Sequence, residues 1–123
     1  MRFRRWLATR CKASWQARRL RTPVRPALEP LYIKAGVPHR FRFLSMTLDE
    51  ETDVSIARND SVVTWTPMAK DAMPIPAAER THRPAKLHFG PGETYDFEFT
   101  PQAGQYHMKV LSRTNVLITI IAE

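Results

Sequence analysis

The sequence predicts an all-β domain, a sandwich of about seven or eight strands, behind a basic N-terminal extension. Apolar and polar residues alternate with a period of two in several short segments, which is typical of half-buried strands. Proline, glycine, asparagine and aspartate separate these segments, as expected for turns. The chain has 123 residues, 43% of them hydrophobic, which is enough to bury the core of one domain without disulfides or metal.

The clearest alternation lies in two segments on either side of Pro101-Gln102-Ala103-Gly104. Proline fixes φ at one end of this turn and glycine is permissive at the other, a combination that suits a hairpin loop. We therefore predict a hairpin in which apolar side chains pair inward and polar side chains pair outward. The predicted inward pairs are Phe99–Tyr106, Phe97–Met108 and Tyr95–Val110, and the predicted outward pairs are Glu98–His107 and Asp96–Lys109.

The same alternation predicts the remaining strands. They span residues 31–35, 39–45, 54–58, 62–66, 86–89 and 116–121, with a tight turn at Asn59-Asp60-Ser61. Residues 49–53 form a solvated acidic loop in this interpretation. The loop lacks the ligand spacing of a calcium-binding loop, so we do not assign it a metal.

Residues 67–85 are predicted to be one long irregular connection. Pro74, Pro76 and Pro84 exclude a regular helix or a central strand across it, although one helical turn fits residues 77–80. The residues expected to cover the core from this connection, rather than to line a ligand site, are Met68, Met73 and Ile75.

The last predicted strand, residues 116–121, is apolar on both faces. Leu117 and Ile121 alternate with the residues that serve the core, and a solvated face of an antiparallel sheet should be polar. Two explanations stay open. Either the connection at residues 67–85 covers these side chains, or they form a docking face for another domain or subunit.

Charge is distributed unevenly along the chain. The first 25 residues contain nine of the 19 Lys and Arg and no acid, whereas the rest contains ten Lys and Arg and all 12 Asp and Glu. Nucleic-acid binding inferred from the net charge of +7 would therefore depend on the basic segment alone. Because Pro23 and Pro26 end any helix, we divide the chain into a leader, residues 1–27, and a domain, residues 28–123.

The leader has three interpretations. It is a poorly ordered tail, or a basic amphipathic helix for an anionic membrane or nucleic acid, or a targeting element. The helix would place Phe3, Leu7, Cys11 and Trp15 on one stripe, since they recur every fourth residue. Arg4-Arg5 hints at a twin-arginine signal, but no apolar segment of about 7–15 residues follows it.

Six phrases of the domain stand out as a set: LYIKAG at 31–36, HRFRFL at 39–44, VTW at 63–65, MAKD at 68–71, RPAKL at 83–87 and PGETYDFEFTP at 91–101. Together they resemble a cupredoxin domain of a multicopper oxidase. The likeness is to the middle domain, which holds no copper in three-domain members, and it covers roughly residues 28–123. Two departures are Ser45-Met46, where the family favours an apolar residue and Asn, and Ala72, which replaces the usual Gly after Asp71.

The resemblance implies a Greek-key, cupredoxin-like sandwich, but the copper ligands of the family are missing. A type 1 copper site needs a thiolate, two imidazoles and usually a weak axial thioether. The only thiol is Cys11 in the leader, and the chain has neither His-Cys-His nor His-x-His. His88 and His107 point outward in our phasing, yet a pair of imidazoles lacks the further ligands of a stable site. We predict no catalytic, cofactor-binding or metal-binding residue and no cofactor in this chain.

The leading functional hypothesis is therefore structural. The chain is expected to be a copper-free, middle-type domain, a fragment or stand-alone relative of an oxidase, which packs against other cupredoxin domains or subunits through Leu117 and Ile121. One alternative is a share in a copper-dependent oxidoreductase whose ligands come from partner domains. Another is a binding module tethered by its leader to membrane or nucleic acid. Membership of the family implies a periplasmic or extracellular location, although the leader has no complete signal peptide.

Overall fold

A computed structural model describes residues 28–123, and the predicted leader, residues 1–27, lies outside them. The described residues form two β-sheets that enclose one core, so the predicted all-β sandwich is confirmed at that level. The sheets contain eleven strands, more than expected because several are only two or three residues long. None of the elements in residues 28–123 is a helix long and apolar enough to cross a bilayer.

Sheet A contains six strands and sheet B contains five. In sheet A the parallel pairing of β1 with β11 is the exception, and the other neighbours are antiparallel. The order across sheet A is β1 (Leu31–Ile33), β11 (Val116–Ala122), β10 (Gly104–Leu111), β3 (Thr52–Arg58) and β4 (Ser61–Val62), with β8 (Lys86–Phe89) also paired to β3. The order across sheet B is β2 (His39–Leu44), β9 (Thr94–Phe99), β5 (Thr64–Lys70) and β6 (Met73–Pro74), with β7 (Arg83–Pro84) also paired to β5.

The predicted hairpin at residues 95–110 is wrong in its pairing. β9 lies in sheet B between β2 and β5, whereas β10 lies in sheet A between β11 and β3. Residues 101–104 therefore form an arch that carries the chain from one sheet to the other. Pro101 is fully buried in this arch. None of the five predicted cross-strand pairs is a pair within a sheet, although the rings of Phe99 and Tyr106 meet edge to face across the core, 5.4 Å apart.

Tyr106 closes the arch. Its hydroxyl accepts a hydrogen bond from the Gln102 amide and donates one to the Gln102 carbonyl, both at 2.9 Å. The ring of Tyr106 is therefore anchored to the backbone four residues upstream. These two hydrogen bonds satisfy the amide and the carbonyl of Gln102, which have no partner strand because they lie in a turn between two sheets.

The predicted inward faces are confirmed where they form the centre of the core. Phe97, Phe99, Tyr106 and Met108 are all at most 7% exposed, while Tyr95 and Val110 pack against the core and stay partly accessible. Alternation therefore identified the buried face of both strands correctly, because a strand's two faces follow from its period of two whatever strand it pairs with.

Residues 67–85 are more regular than predicted. β5 continues through Pro67 to Lys70, with a register shift between Pro67 and Ala69 that accommodates the proline. The expected helical turn is present as a short 3-10 helix, Ala77–Glu79. Of the three residues expected to cover the core from here, Met68 and Ile75 are partly buried, but Met73 is 71% exposed.

Two tight turns use residues with left-handed backbone conformations. Asn59 and Asp60, in the turn predicted at residues 59–61, have φ values of 47° and 63°. Asp71 and Ala72 connect β5 to β6 with φ values of 47° and 64°. Alanine is disfavoured at such a φ because its Cβ crowds the following carbonyl oxygen. The departure noted at Ala72 thus falls where a glycine fits best.

Candidate functional site

The four histidines of the domain are separate. His39 Nε2 lies 2.9 Å from the Lys34 carbonyl oxygen, and His82 Nδ1 lies 3.0 Å from the Thr66 hydroxyl. His88 and His107 share the outer face of sheet A, as predicted. They are two strands apart, however, level with Asp53 and Ala57 of the intervening β3, so they are offset by about 13 Å along that strand. The structure brings no pair of imidazoles together there.

His88 contacts acids instead. Its Nδ1 lies 2.8 Å from Asp53 and its Nε2 3.2 Å from Glu51. The hydrogen bond to Asp53, helped by the charge of Glu51, raises the pKa of His88. In the same acidic loop Glu50 contacts Arg113. The acids of this loop thus contact basic side chains, and within residues 28–123 no three His, Cys, Asp or Glu side chains form a group that could hold a metal ion.

The outer face of sheet B is built around Asp96. Although it points outward, Asp96 is only 2% exposed, because two arginines of β2 fold over it. Arg42 donates from Nε and Nη2, each at 2.8 Å, and Arg40 donates from Nε at 2.9 Å. The hydrogen bonds from Arg42 hold the pKa of Asp96 below its usual range. The predicted partner of Asp96 was Lys109, which lies in the other sheet.

Sequence reasoning missed this Arg-Asp-Arg cluster, but a signal for it is present. Arg40 and Arg42 alternate with phenylalanines in one strand, while Asp96 and Glu98 alternate with aromatic residues in another. Two strands whose inward residues are apolar and whose outward residues carry opposite charges are favourable neighbours in a sheet. The register confirms the match, with Arg40 opposite Glu98 and Arg42 opposite Asp96.

The outer face of sheet A carries three apolar side chains and one threonine as a group on its first two strands. Leu117, Thr119 and Ile121 follow one another on the outward side of β11, and Tyr32 of β1 is in register with Ile121. Tyr32 is 61% exposed and Leu117 55% exposed, while Thr119 and Ile121 are half-buried. We refer to these four residues as the β11 stripe.

The connection at residues 67–85 does not cover the β11 stripe. Its strands β6 and β7 both pair with β5 in sheet B, and Leu117 is left more than half exposed. The first of the two explanations for the apolar last strand is therefore wrong for Leu117. Within residues 28–123 no segment covers Tyr32 or Leu117, so the stripe presents apolar side chains that stay more than half exposed on regular strands.

A second apolar surface lies on the loop between β2 and β3. Met46 is 85% exposed and Leu48 97% exposed. The loop itself is held in place, because Ser45 is buried and exchanges backbone hydrogen bonds with Glu93 and Gly92. This tip precedes β3 and lies at the end of sheet A opposite the Tyr32–Ile121 row.

A cleft of about 350 Å³ opens between the sheets on the side away from the β11 stripe. β5 and β9 of sheet B form one wall, β8 of sheet A forms another, and Ile75 and Glu79 of the 71–82 segment border it. Comparison with protein-family models and with curated proteins finds no match to this chain.

Proposed function

We propose that residues 28–123 are a cupredoxin-like domain of the multicopper oxidase type that holds no copper and acts by packing against another domain. The observation that carries the proposal is the β11 stripe, where Tyr32 and Leu117 remain more than half exposed on adjacent strands. Tyr32 lies beside Ile121, and Leu117 and Ile121 share the outward side of β11, so apolar positions are grouped on this face with Thr119 between them. Grouped apolar side chains on an outer face suit a partner better than solvent.

The Greek-key part of the proposal draws on the connections between strands. Most neighbours in both sheets are distant in sequence, for example β3 beside β10 and β5 beside β9. The chain also changes sheet at the arch after β9, where Tyr106 forms the corner bond. Such crossings and corners are typical of Greek-key sandwiches.

The partner on this hypothesis is another β-sandwich domain with an apolar face. The stripe is flanked on β10 by Gln105, His107 and Lys109, which suit the polar rim of an interface. The stripe is small, so we expect it to be one part of a larger contact rather than a stable interface alone.

The test uses the coding regions that adjoin this one in its genome. Any that encode a cupredoxin domain with His-Cys-His or His-x-His are co-expressed with the tagged full chain, and copurification is measured. We expect a complex that Leu117→Lys abolishes and that Glu98→Lys, on the outer face of sheet B, leaves intact. Absence of such a neighbour, or a complex lost with Leu48→Lys or Glu98→Lys but not with Leu117→Lys, would contradict the proposal.

Copper binding is tested separately on the purified chain. On mixing with Cu(II), we expect no intense blue absorption from a thiolate-to-copper transition, because the chain lacks the ligand set that produces it. An intense band that disappears in Cys11→Ser would show that the chain builds a copper site and would overturn the copper-free assignment.

A further inference from the structure

The cleft between the sheets has a buried, apolar floor. Phe97 is 4% exposed and Leu87 8% exposed, and they come from opposite sheets. Pro67 is also buried, and Ile75 borders the cleft half-buried. A volume of about 350 Å³ falls at the lower end of small-molecule sites, and a cavity of about 150 Å³ already admits benzene. The space therefore suits a body of about two fused rings.

The rim of the cleft is cationic. Arg83 borders it from β7, and Lys86 borders it from the edge strand β8, where it alternates with the inward Leu87. Neither forms an ion pair with any residue in the described range 28–123. Two further basic residues border the cleft but already have acidic partners: Lys70 contacts Glu93 at 3.2 Å, and His88, on the outer face of sheet A, contacts its two acids. Glu79 is the one acid on the rim.

From this arrangement we propose that the cleft binds a small molecule that carries one anionic group on an apolar body, such as an aromatic carboxylate. The floor formed by Leu87 and Phe97 buries the apolar part. Arg83, in register with the inward Trp65, meets the anionic group at the mouth, and Lys86 adds positive charge from the adjoining edge of sheet A. The adjoining apolar wall lowers the local dielectric and strengthens the attraction. The assignment is independent of the β11 stripe, which lies on the other side of sheet A from the core.

The experiment titrates two probes of nearly equal shape, 2-naphthoate and its neutral counterpart 2-naphthamide, into the full 123-residue chain. Methyl NMR signals of Ile75 and Leu87 report on the cleft, and those of Leu117 and Ile121 report on the β11 stripe. We expect naphthoate to shift the cleft methyls saturably and to bind at least about fivefold more tightly than naphthamide, the effect of one or two partly exposed charge contacts. No shift at Ile75 and Leu87, or equal affinities for the two probes, would overturn the proposal.

Charge variants at the rim sharpen the test. Arg83→Gln combined with Lys86→Gln should remove the preference for naphthoate, whereas Glu79→Gln should increase it, since it removes the one opposing charge. Leu117→Gln is the matched control on the outer face and should change neither affinity. A preference that survives the double variant would mean that the anion is recognised elsewhere, and the cleft assignment would fail.

Discussion

The two outer faces of the sandwich differ in how their outward side chains are paired and covered. On sheet B the outward carboxylate of Asp96 receives three hydrogen bonds from Arg40 and Arg42 and is almost fully covered by them. On sheet A the outward residues of β11 are Leu117, Thr119 and Ile121, and Leu117 remains 55% exposed. Around Asp96, sheet B therefore satisfies its outer face with its own side chains, although Leu44 at the end of β2 is also 55% exposed. On sheet A, β11 leaves apolar side chains to water or to a partner.

The contrast between the two faces indicates where on the domain a partner would bind. Both faces obey the same period of two, so alternation alone does not separate them. Charge pairing within the face of sheet B marks it as a self-contained, solvated surface. The apolar side chains of the β11 stripe lie on an outer face, where a solvated sheet should be polar, and they are the ones for which we propose a partner.

The largest loss of stability is expected in the core between the two sheets. Phe97 stacks on Trp65 with ring centroids 4.0 Å apart and is 4% exposed, so Phe97→Ala should lower the free energy of unfolding by about 3–5 kcal/mol. Its neighbour Glu98 points outward, and Glu98→Ala should cost less than about 1 kcal/mol. Denaturant melts of both variants measure this. Equal, small losses would contradict the phase of β9 and the placement of both outer faces.

The next largest loss of stability is expected at Asp96, on the outer face of sheet B. Asp96→Asn weakens the bonds from both arginines and should cost about 1–2 kcal/mol, the value of hydrogen bonds to a charged group discounted for the exposure of the arginines. Lys109→Gln, at the partner predicted from sequence, should change stability by less than about 0.5 kcal/mol. Chemical denaturation at neutral pH compares them. A larger loss for Lys109→Gln would restore the hairpin pairing that the structure rejects.

The pKa of Asp96 gives this prediction a pH dependence. Because its pKa is lowered in the folded chain, its contribution is fully present above the unfolded-state pKa of about 3.9 and is lost as pH falls through the folded-state pKa. The stability difference between the natural chain and Asp96→Asn should therefore narrow below about pH 4. A difference that grows on acidification would mean that the carboxylate is not held by the arginines.

A smaller change, this time a gain in stability, is expected from a substitution in the turn before the edge strand β6 of sheet B. Ala72→Gly relieves a left-handed alanine at φ 64° and should raise stability by about 0.5–1 kcal/mol, after the greater freedom of glycine in the unfolded chain is deducted. Ala103→Gly is the control, since Ala103 has no positive φ, and it should not stabilise. Thermal melts of the two variants decide the matter, and equal shifts would refute the backbone explanation.

The sequence predicted the strands better than their partners, and the reason is physical. Periods of two, prolines and glycines are local, so β8 is found at residues 86–89 as predicted and the buried face of β9 and β10 is correct. Whether residues 101–104 turn back within one sheet or cross to another depends on distant strands. Local turn chemistry at Pro101 and Gly104 is compatible with both.

The candidate sites show the same limit. The outward positions of Leu117 and Ile121 could be predicted, because an apolar residue at an outward position of a strand is visible in the sequence itself. The cover over Asp96 and the cleft between β5, β8 and β9 arise only when segments far apart in the chain are brought together. In the same way, the arginines that cover Asp96 lie more than 50 residues before it in the sequence.

Residues 28–123 leave Leu117 of the β11 stripe exposed, and the free energy of unfolding of Leu117→Lys in the full chain tests most directly whether the stripe is uncovered in the isolated protein. We predict a value within about 0.5 kcal/mol of the natural chain, as for an exposed surface site. Ile120→Ala, at the fully buried neighbouring position, should lose about 2–5 kcal/mol in the same assay. A loss above about 2 kcal/mol for Leu117→Lys would contradict the account, because the stripe would then be buried by the chain itself.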